Sequence, residues 1–286
     1  MSKIKVSFSG HDKFDCKIDW IIKGLEAFNE NHNIFEPSEL ENSITRLGLG
    51  VNMIKSLKHW MKSLELIDEK SLAYFGKTIL EYDPYIENID VLWILHWNLV
   101  KNKEKSTLYH RFFNKLYLFR FSKEELLNDI DEWLRENDIN LSLNTIKSDI
   151  DVFLRMYNNS KENSFGLFKD LNILSDNKGI YSLNTNSTAM INDQVFLYIL
   201  IDYLNTFKYE NSSVSIDDLQ KGEISIQKSL CMNENSFFIK INNLGKMTNG
   251  KLSYSEASGI RQIYIHEKLD SKKILDEVLK QGKLDV

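Results

Sequence analysis

At 286 residues, with 42% hydrophobic and 12% aromatic content, the chain is long enough for two or three domains and too rich in core-forming side chains to be disordered. Two prolines and twelve glycines argue against a turn-rich β architecture and for helices joined by short polar loops. A formal net charge of −5 weighs against a protein that coats nucleic acid through bulk charge, so any contact with DNA has to come from a local basic face.

Met1-Ser2-Lys3-Ile4-Lys5 leads into no signal-peptide core. The longest apolar runs, residues 91–100 and 195–204, are about half of the roughly 20 residues that span a bilayer, and His96, Asn98 and Asp202 interrupt them. Cys16 and Cys231 stand alone and far apart, which fits a reducing compartment. A cytoplasmic protein with no membrane partner is expected.

Pro37-Ser38-Glu39-Leu40-Glu41 reads as a helix start capped by Ser38, and the helix stops at Leu47-Gly48-Leu49-Gly50. Over 51–64, helical spacing puts Met53, Ile54, Leu57, Trp60, Met61 and Leu64 on one side. The other side carries Asn52, Lys55, Ser56, His59, Lys62 and Ser63. Glu65-Leu66-Ile67, a polar turn at 68–71 and Leu72-Ala73-Tyr74-Phe75-Gly76-Lys77 complete a hairpin. The order predicts a winged helix-turn-helix over about 38–80. Buried connector helices follow at 89–100 and 107–119.

The pattern recurs. Ser122 caps an acidic helix, Lys123–Glu136; a second amphipathic helix spans 144–157, and Asp176-Asn177-Lys178-Gly179 turns a hairpin into Ile180-Tyr181-Ser182-Leu183. A third copy would run from an apolar helix at 193–207 through 236–247 to strands at 252–254 and 261–265. The fold class expected is mainly α with small β-wings, as two or three winged helix-turn-helix units joined by helical connectors. The divisions are 1–85 (N-terminal segment and first unit), 86–121 (connector), 122–186 (second unit) and 187–286 (a C-terminal helical unit that a third wing would complete).

Charge is segregated along the chain. Residues 46–62 hold Arg46, Lys55, Lys58 and Lys62 without an acid, and 101–120 hold Lys101, Lys103, Lys105, Arg111, Lys115 and Arg120 against Glu104 alone. Residues 122–138 are acidic. A helix in the major groove needs short polar groups for base edges and cations for phosphates. The candidate DNA-binding residues are therefore Arg46, Asn52, Lys55, Ser56, Lys58, His59 and Lys62, with duplex DNA as the partner. A solvated face used for protein contacts is the alternative. If 46–62 and 101–120 join into one positive strip, DNA is favoured; if the cations scatter, a protein adaptor is.

Other patterns carry less. Gly48-Leu49-Gly50 follows a helix and lacks the Gly-Lys-Ser/Thr ending of a phosphate loop. Asp68-Glu69-Lys70 has no acidic partner on a neighbouring strand to make a metal-nuclease site. The histidines do not cluster at ligand spacing, and His96 reads as a hydrogen-bonded core residue. Tyr109, Phe112, Phe113, Leu116 and Tyr117 have the spacing of a core stripe, and Asp149 and Asp151, two residues apart, diverge by about 160° on a helix. No catalytic residue, metal or cofactor is assigned, and a non-enzymatic protein is expected.

Several segments resemble one family when taken in order: Ser7-Phe8-Ser9-Gly10-His11-Asp12-Lys13-Phe14 with Trp20, Arg46-Leu47-Gly48-Leu49-Gly50-Val51-Asn52-Met53 with His59-Trp60, Asp83-Pro84-Tyr85, Leu92-Trp93-Ile94-Leu95-His96-Trp97, and 149–157. This is a bacterial domain family of unknown function encoded beside phosphoadenosine-phosphosulfate-reductase-like and DNA-sulfur-modification genes. The resemblance covers nearly the whole chain. It implies a non-catalytic accessory role in a phage-defence or DNA phosphorothioation system, with a protein partner from that system, and it carries over no catalytic residue. Asp12-Lys13 and Asp15-Cys16 depart from the family pattern. The leading expectation is a DNA-binding accessory or specificity protein. The alternatives are an adaptor for a sulfur-transfer or nuclease enzyme that never touches DNA, and a local transcriptional regulator.

Overall fold

The computed structural model describes residues 5–158, 165–186, 191–206 and 212–281. Helix α1 (Ile18–Glu30) buries Trp20, Ile21, Leu25 and Phe28 along one side, and α2 (Leu40–Leu47) and α3 (Val51–Ser63) pack onto it. Pro37 opens a short 3-10 turn ahead of α2; the expected cap, Ser38, lies inside that turn, and neither helical start has a side-chain capping bond. Gly48 ends α2 at φ 66°, a left-handed conformation that costs any residue with a Cβ.

The wing expected over 64–77 is reduced. Ile67 and Leu72 form one antiparallel bridge, closed by Asp68 N donating to Ser71 O (2.9 Å) and Ala73 N to Leu66 O (3.0 Å), and the chain then enters α4 (Tyr74–Tyr82). Phe75 and Ile79 are spaced for a helix face and both are buried. Gly76 permits the turn from bridge to helix: a Cβ there would lie 2.3 Å from the Leu66 carbonyl oxygen.

Helix α5 (Ile89–Lys101) is buried from Val91 to Val100 and forms the centre of the molecule. His96 is a hydrogen-bonded core residue, its Nε2 2.6 Å from Ser229 O and its Nδ1 2.8 Å from Tyr157 Oη. Helix α6 (Thr107–Arg111) runs into a wide π turn, Phe112–Leu116, and the aromatic stripe beginning at Tyr109 is core as far as Phe113.

Two stretches then follow the same path. In the first, β1 (Arg120–Ser122) leads to α7 (Lys123–Glu136), α8 (Leu143–Tyr157) and the hairpin β2 (Leu174–Asn177) and β3 (Ile180–Leu183); the antiparallel order is β1-β3-β2. Ser122 and Glu125 form a reciprocal capping box on α7. In the second, α9 (Asp193–Thr206) precedes β4 (Ser213–Ser215), α10 (Ile216–Lys221), α11 (Ile226–Ser229) and α12 (Glu234–Met247). The hairpin β5 (Leu252–Ala257) and β6 (Ile260–Ile265) then gives the order β4-β6-β5. Phe207, expected to end α9, lies outside the described residues. Both hairpins turn through adjacent positive-φ residues, Lys178-Gly179 and Ser258-Gly259, the pairing that matches strand twist.

The last helix, α13 (Ser271–Gln281), returns to pack on α9 and on α4, where Tyr74 Oη donates to Asp276 at 2.8 Å. The described residues are thus mainly helical with two small antiparallel sheets, built over one contiguous core. Among them, no helix is long and apolar enough to cross a membrane.

Candidate nucleic-acid interface

Helix α3 divides along its length. Ile54, Leu57, Trp60 and Met61 are buried, and at its first turn Val51, Asn52 and Lys55 are exposed. Further along, the expected polar face is covered in part. Ser56 is fully buried, its hydroxyl 3.5 Å from Phe14 O, and the same carbonyl accepts from Trp60 Nε1 at 3.0 Å. Ser63 is buried beneath Lys105 O. The His59 ring lies against Gly10, where a Cβ would fall 2.4 Å from Nδ1. Burial first, and His11 nearby second, push the His59 pKa down to about 4, so it is neutral at pH 7.

The basic residues of the stretch are mostly paired. Arg46 grips Glu30 with Nε and an Nη (2.9 and 2.7 Å) and holds that carboxyl below its usual range. Lys58 reaches Glu36 at 3.1 Å and Lys62 reaches Glu69 at 2.8 Å. Among the described residues, Lys55 has no carboxylate within ion-pair distance. Residues 46–62 contain no acid, yet the fold brings Glu30, Glu36 and Glu69 to them from α1 and two loops. The stretch 101–120 behaves alike. Lys101 is buried between Glu65 (2.9 Å) and Asp202 (2.7 Å), Lys103 and Lys115 share Glu223 (2.8 and 3.3 Å), and Lys5 pairs with Glu104. The two basic stretches therefore do not form one bare positive strip.

The N-terminal segment that covers α3 is tied to α6 and α8. Ser9 N donates to both Asp149 carboxylate oxygens (3.0 and 3.1 Å), Ser7 N to Thr107 Oγ1 (2.8 Å), and Arg155 binds Asp15 (2.9 Å) and Lys13 O (2.8 Å). Lys13 N donates to His11 Nδ1, which leaves the ring proton on Nε2, 3.4 Å from Asp149 and outside good hydrogen-bond geometry. His11 stacks on Trp60 at 5.5 Å and 10°. Ser9, Asp12 and Lys13 all take positive φ, a local cost the surrounding bonds over-determine. The space beside the segment is about 10 Å³, room for roughly one water and for no substrate. Packing is the role this geometry supports for Ser9-Gly10-His11.

Residues 8–281 match the model of a family described as a protein of unknown function, DUF4007. The chain belongs to that family. A search of curated proteins found no match. Two solved structures share the fold across nearly the whole chain. The one titled "Magnesium ion-bound SspB crystal structure" has TM-score 0.80 and 18% identity, covering 98% of this chain and 90% of that one. The one titled "SspB crystal structure" has TM-score 0.81 and 18% identity over 96% and 87%. At this identity the likeness establishes architecture. Among the described residues, no group of three or more His, Cys, Asp or Glu side chains is placed to share a metal ion.

In this DUF4007 chain the residues that sequence reasoning missed are those whose partners lie far away in the chain. Asp149 is an example. Its divergence from Asp151 correctly separates the two, but nothing local signals that it binds the backbone of a segment 140 residues away. The Glu223 carboxylate, which gathers Lys103 and Lys115, is equally silent in sequence.

Proposed function

We propose that this protein is a non-catalytic, DNA-binding accessory component of a bacterial phage-defence or DNA-sulfur-modification system, built from three helix-turn-helix units of which two carry full wings. One observation carries the reading: a strand, two or three helices and a hairpin, with the hairpin's second strand central, occurs twice, in the order winged helix domains use. The first unit, α1 to the Ile67–Leu72 bridge, has the helices and only the root of a wing. Membership of a family of unknown function and whole-chain likeness to SspB agree with the resemblance drawn from sequence.

Within that reading, Asn52 and Lys55 at the start of α3 make first contact with duplex DNA. Arg46, Lys58 and Lys62 join by exchanging exposed carboxylates for phosphates. Surface ion pairs contribute about 0–1 kcal/mol, so this exchange costs little. Ser56 and His59 support the helix from beneath. Fluorescence anisotropy with a random duplex tests it. With about four cations engaged, affinity falls roughly a hundredfold between 50 and 200 mM salt, and Lys55→Glu/Lys58→Glu abolishes binding. No binding at low salt, or unchanged binding by the double variant, defeats the DNA reading.

A second reading, an adaptor without DNA contact, draws on the pairing of the basic stretches and on the exposed acids of α7, Glu124, Glu125, Glu132 and Glu136. It predicts no measurable duplex affinity, and that charge reversal on α7 disrupts a complex with the system's enzyme. A dimer in size exclusion would point instead to a transcriptional regulator reading a palindrome.

A further inference from the structure

A cavity of about 290 Å³ opens where α6, α7 and the loop after α10 meet, away from the exposed turn of α3. Lys103, Lys115 and Arg111 supply its positive charge and Glu223 its one carboxylate. Glu223 bridges the two lysines, and Lys103 above all holds its carboxyl below the usual range. The Arg111 Cζ lies over the Trp133 ring, 4.4 Å from its centroid. Its Nε is buried without a hydrogen-bond acceptor, and among the described residues no carboxylate stands within ion-pair distance of it. A half-buried cation with a desolvated, unpartnered Nε is costly, and a bound anion offsets that cost.

His110 adds the selective element. It is 3% exposed, and its Nε2 has no hydrogen-bond partner. Its tautomer follows from its neighbours. Asn114 accepts from Ser225 N and Ser229 Oγ through Oδ1, which fixes the amide, and Nδ2 spends its hydrogens on Val100 O (3.0 Å) and His110 O (2.9 Å). The contact of His110 Nδ1 with Val100 O at 3.1 Å therefore needs the proton on Nδ1. Nε2 is left as a bare acceptor on the wall of a cationic cavity, 4.0 Å from Glu223. Burial keeps the ring neutral, with a pKa near 4.

Donors and cations call for an oxyanion, whereas an acceptor calls for a proton on it. Sulfate and carboxylates carry none at neutral pH. Inorganic phosphate does in part, because its second ionisation lies near neutrality; a phosphate monoester ionises at about 6, so at pH 7 it is mostly the dianion and takes up a proton against Nε2 at a roughly tenfold penalty. From this cluster we infer that the cavity is a binding site for a protonated phosphate group, either free phosphate, a mononucleotide or the 5′-phosphate of a nucleic-acid strand. The size suits it, since about 290 Å³ is at the small end of ligand sites.

Titration calorimetry of the full chain in phosphate-free buffer tests this, with inorganic phosphate, AMP, sulfate, and one oligonucleotide in 5′-phosphorylated and 5′-hydroxyl forms. Phosphate or AMP binds saturably and about tenfold or more tighter than sulfate. Lys103→Gln/Lys115→Gln, whose side chains are 45% and 37% exposed and tolerate change, weakens binding at least about tenfold with unchanged circular dichroism. Glu223→Gln strengthens it. A 5′-phosphorylated strand that binds where its hydroxyl twin does not assigns the group to nucleic-acid ends; binding of phosphate and AMP alone assigns it to a free metabolite. The inference is overturned if no probe binds the folded chain, if sulfate equals phosphate, or if the folded double variant binds as the wild type does. The DNA reading stands or falls separately, on Lys55 and Lys58.

Discussion

Three histidines are held neutral by burial, and together they should make the fold acid-sensitive. His59, His96 and His110 are each pushed from 6.5 down to about 4, chiefly by desolvation. For His96 the cause is complete: the ring has no exposure, Nε2 donates to Ser229 O, Nδ1 accepts from Tyr157 Oη, and Trp93, Phe113 and Phe168 press on its faces and edges. No position is left for a second ring proton. The unfolded chain takes up a proton on each histidine near 6.5, whereas the folded chain does so only near 4. Stability from these groups is therefore whole above about pH 7 and is lost as pH falls through 6.5 toward 4. By linkage, the loss is about 2 kcal/mol per histidine at pH 5 and about 3 kcal/mol once pH is below both values. Three groups together approach about 6 kcal/mol at pH 5, comparable to the roughly 5–15 kcal/mol total stability of folded domains. Urea unfolding followed by circular dichroism, at steps from about pH 7.5 to 5, measures it. His96→Gln lowers stability at pH 7.5 by about 1–3 kcal/mol through lost bonds and packing, and it flattens the pH dependence by about one third. Identical slopes for wild type and variant over that range would refute the reasoning, since the shift would then not belong to His96.

Gly76→Ala should lower the melting temperature by several degrees. Its Cβ would stand 2.3 Å from the Leu66 carbonyl oxygen, and overpacking of this kind costs about 1–3 kcal/mol. Asp149→Asn weakens the hold on Ser9 N, so amide exchange and proteolysis at residues 7–14 should quicken while α12 and its hairpin keep their protection. Cys16 and Cys231 are fully buried, and burial pushes both thiols up; neither should react with a thiol reagent until the chain is unfolded in denaturant.

Much of the architecture was legible because it rests on local signals. The capping box at Ser122, the helical spacing through Tyr157 and the turn residues Lys178-Gly179 each act within a few positions, and each element formed where those signals put it. The first wing was not legible. Leu72 to Lys77 has a strand-like composition, but Phe75 and Ile79 also make a helical pair, and the tertiary contact with α13 favours the helix. Short strands β1 and β4 carry no pattern of their own; each exists because a hairpin strand offers it an edge.

The candidate interface was least legible, and the reason is electrostatic. A run of lysines without acids looks positive in sequence, but net surface potential depends on what folds beside it. Here Glu30, Glu36 and Glu69 arrive from outside 46–62 and reduce the bare cation count to Lys55. Around Arg111 the reverse happens. The acids of α7 would be its obvious counterions, since that helix supplies Trp133 beneath the guanidinium. Asp129 and Glu136 nevertheless act on it only from a distance, and the guanidinium is left on an aromatic face with a bare Nε. The stretch 46–62 is thus nearly neutralised, while 101–120 retains an unpaired charge within a cavity. Binding sites in an acidic chain are to be sought where a cation without a carboxylate also lies on an expected contact face or in a cavity; Lys55 on α3 meets the first condition and Arg111 the second.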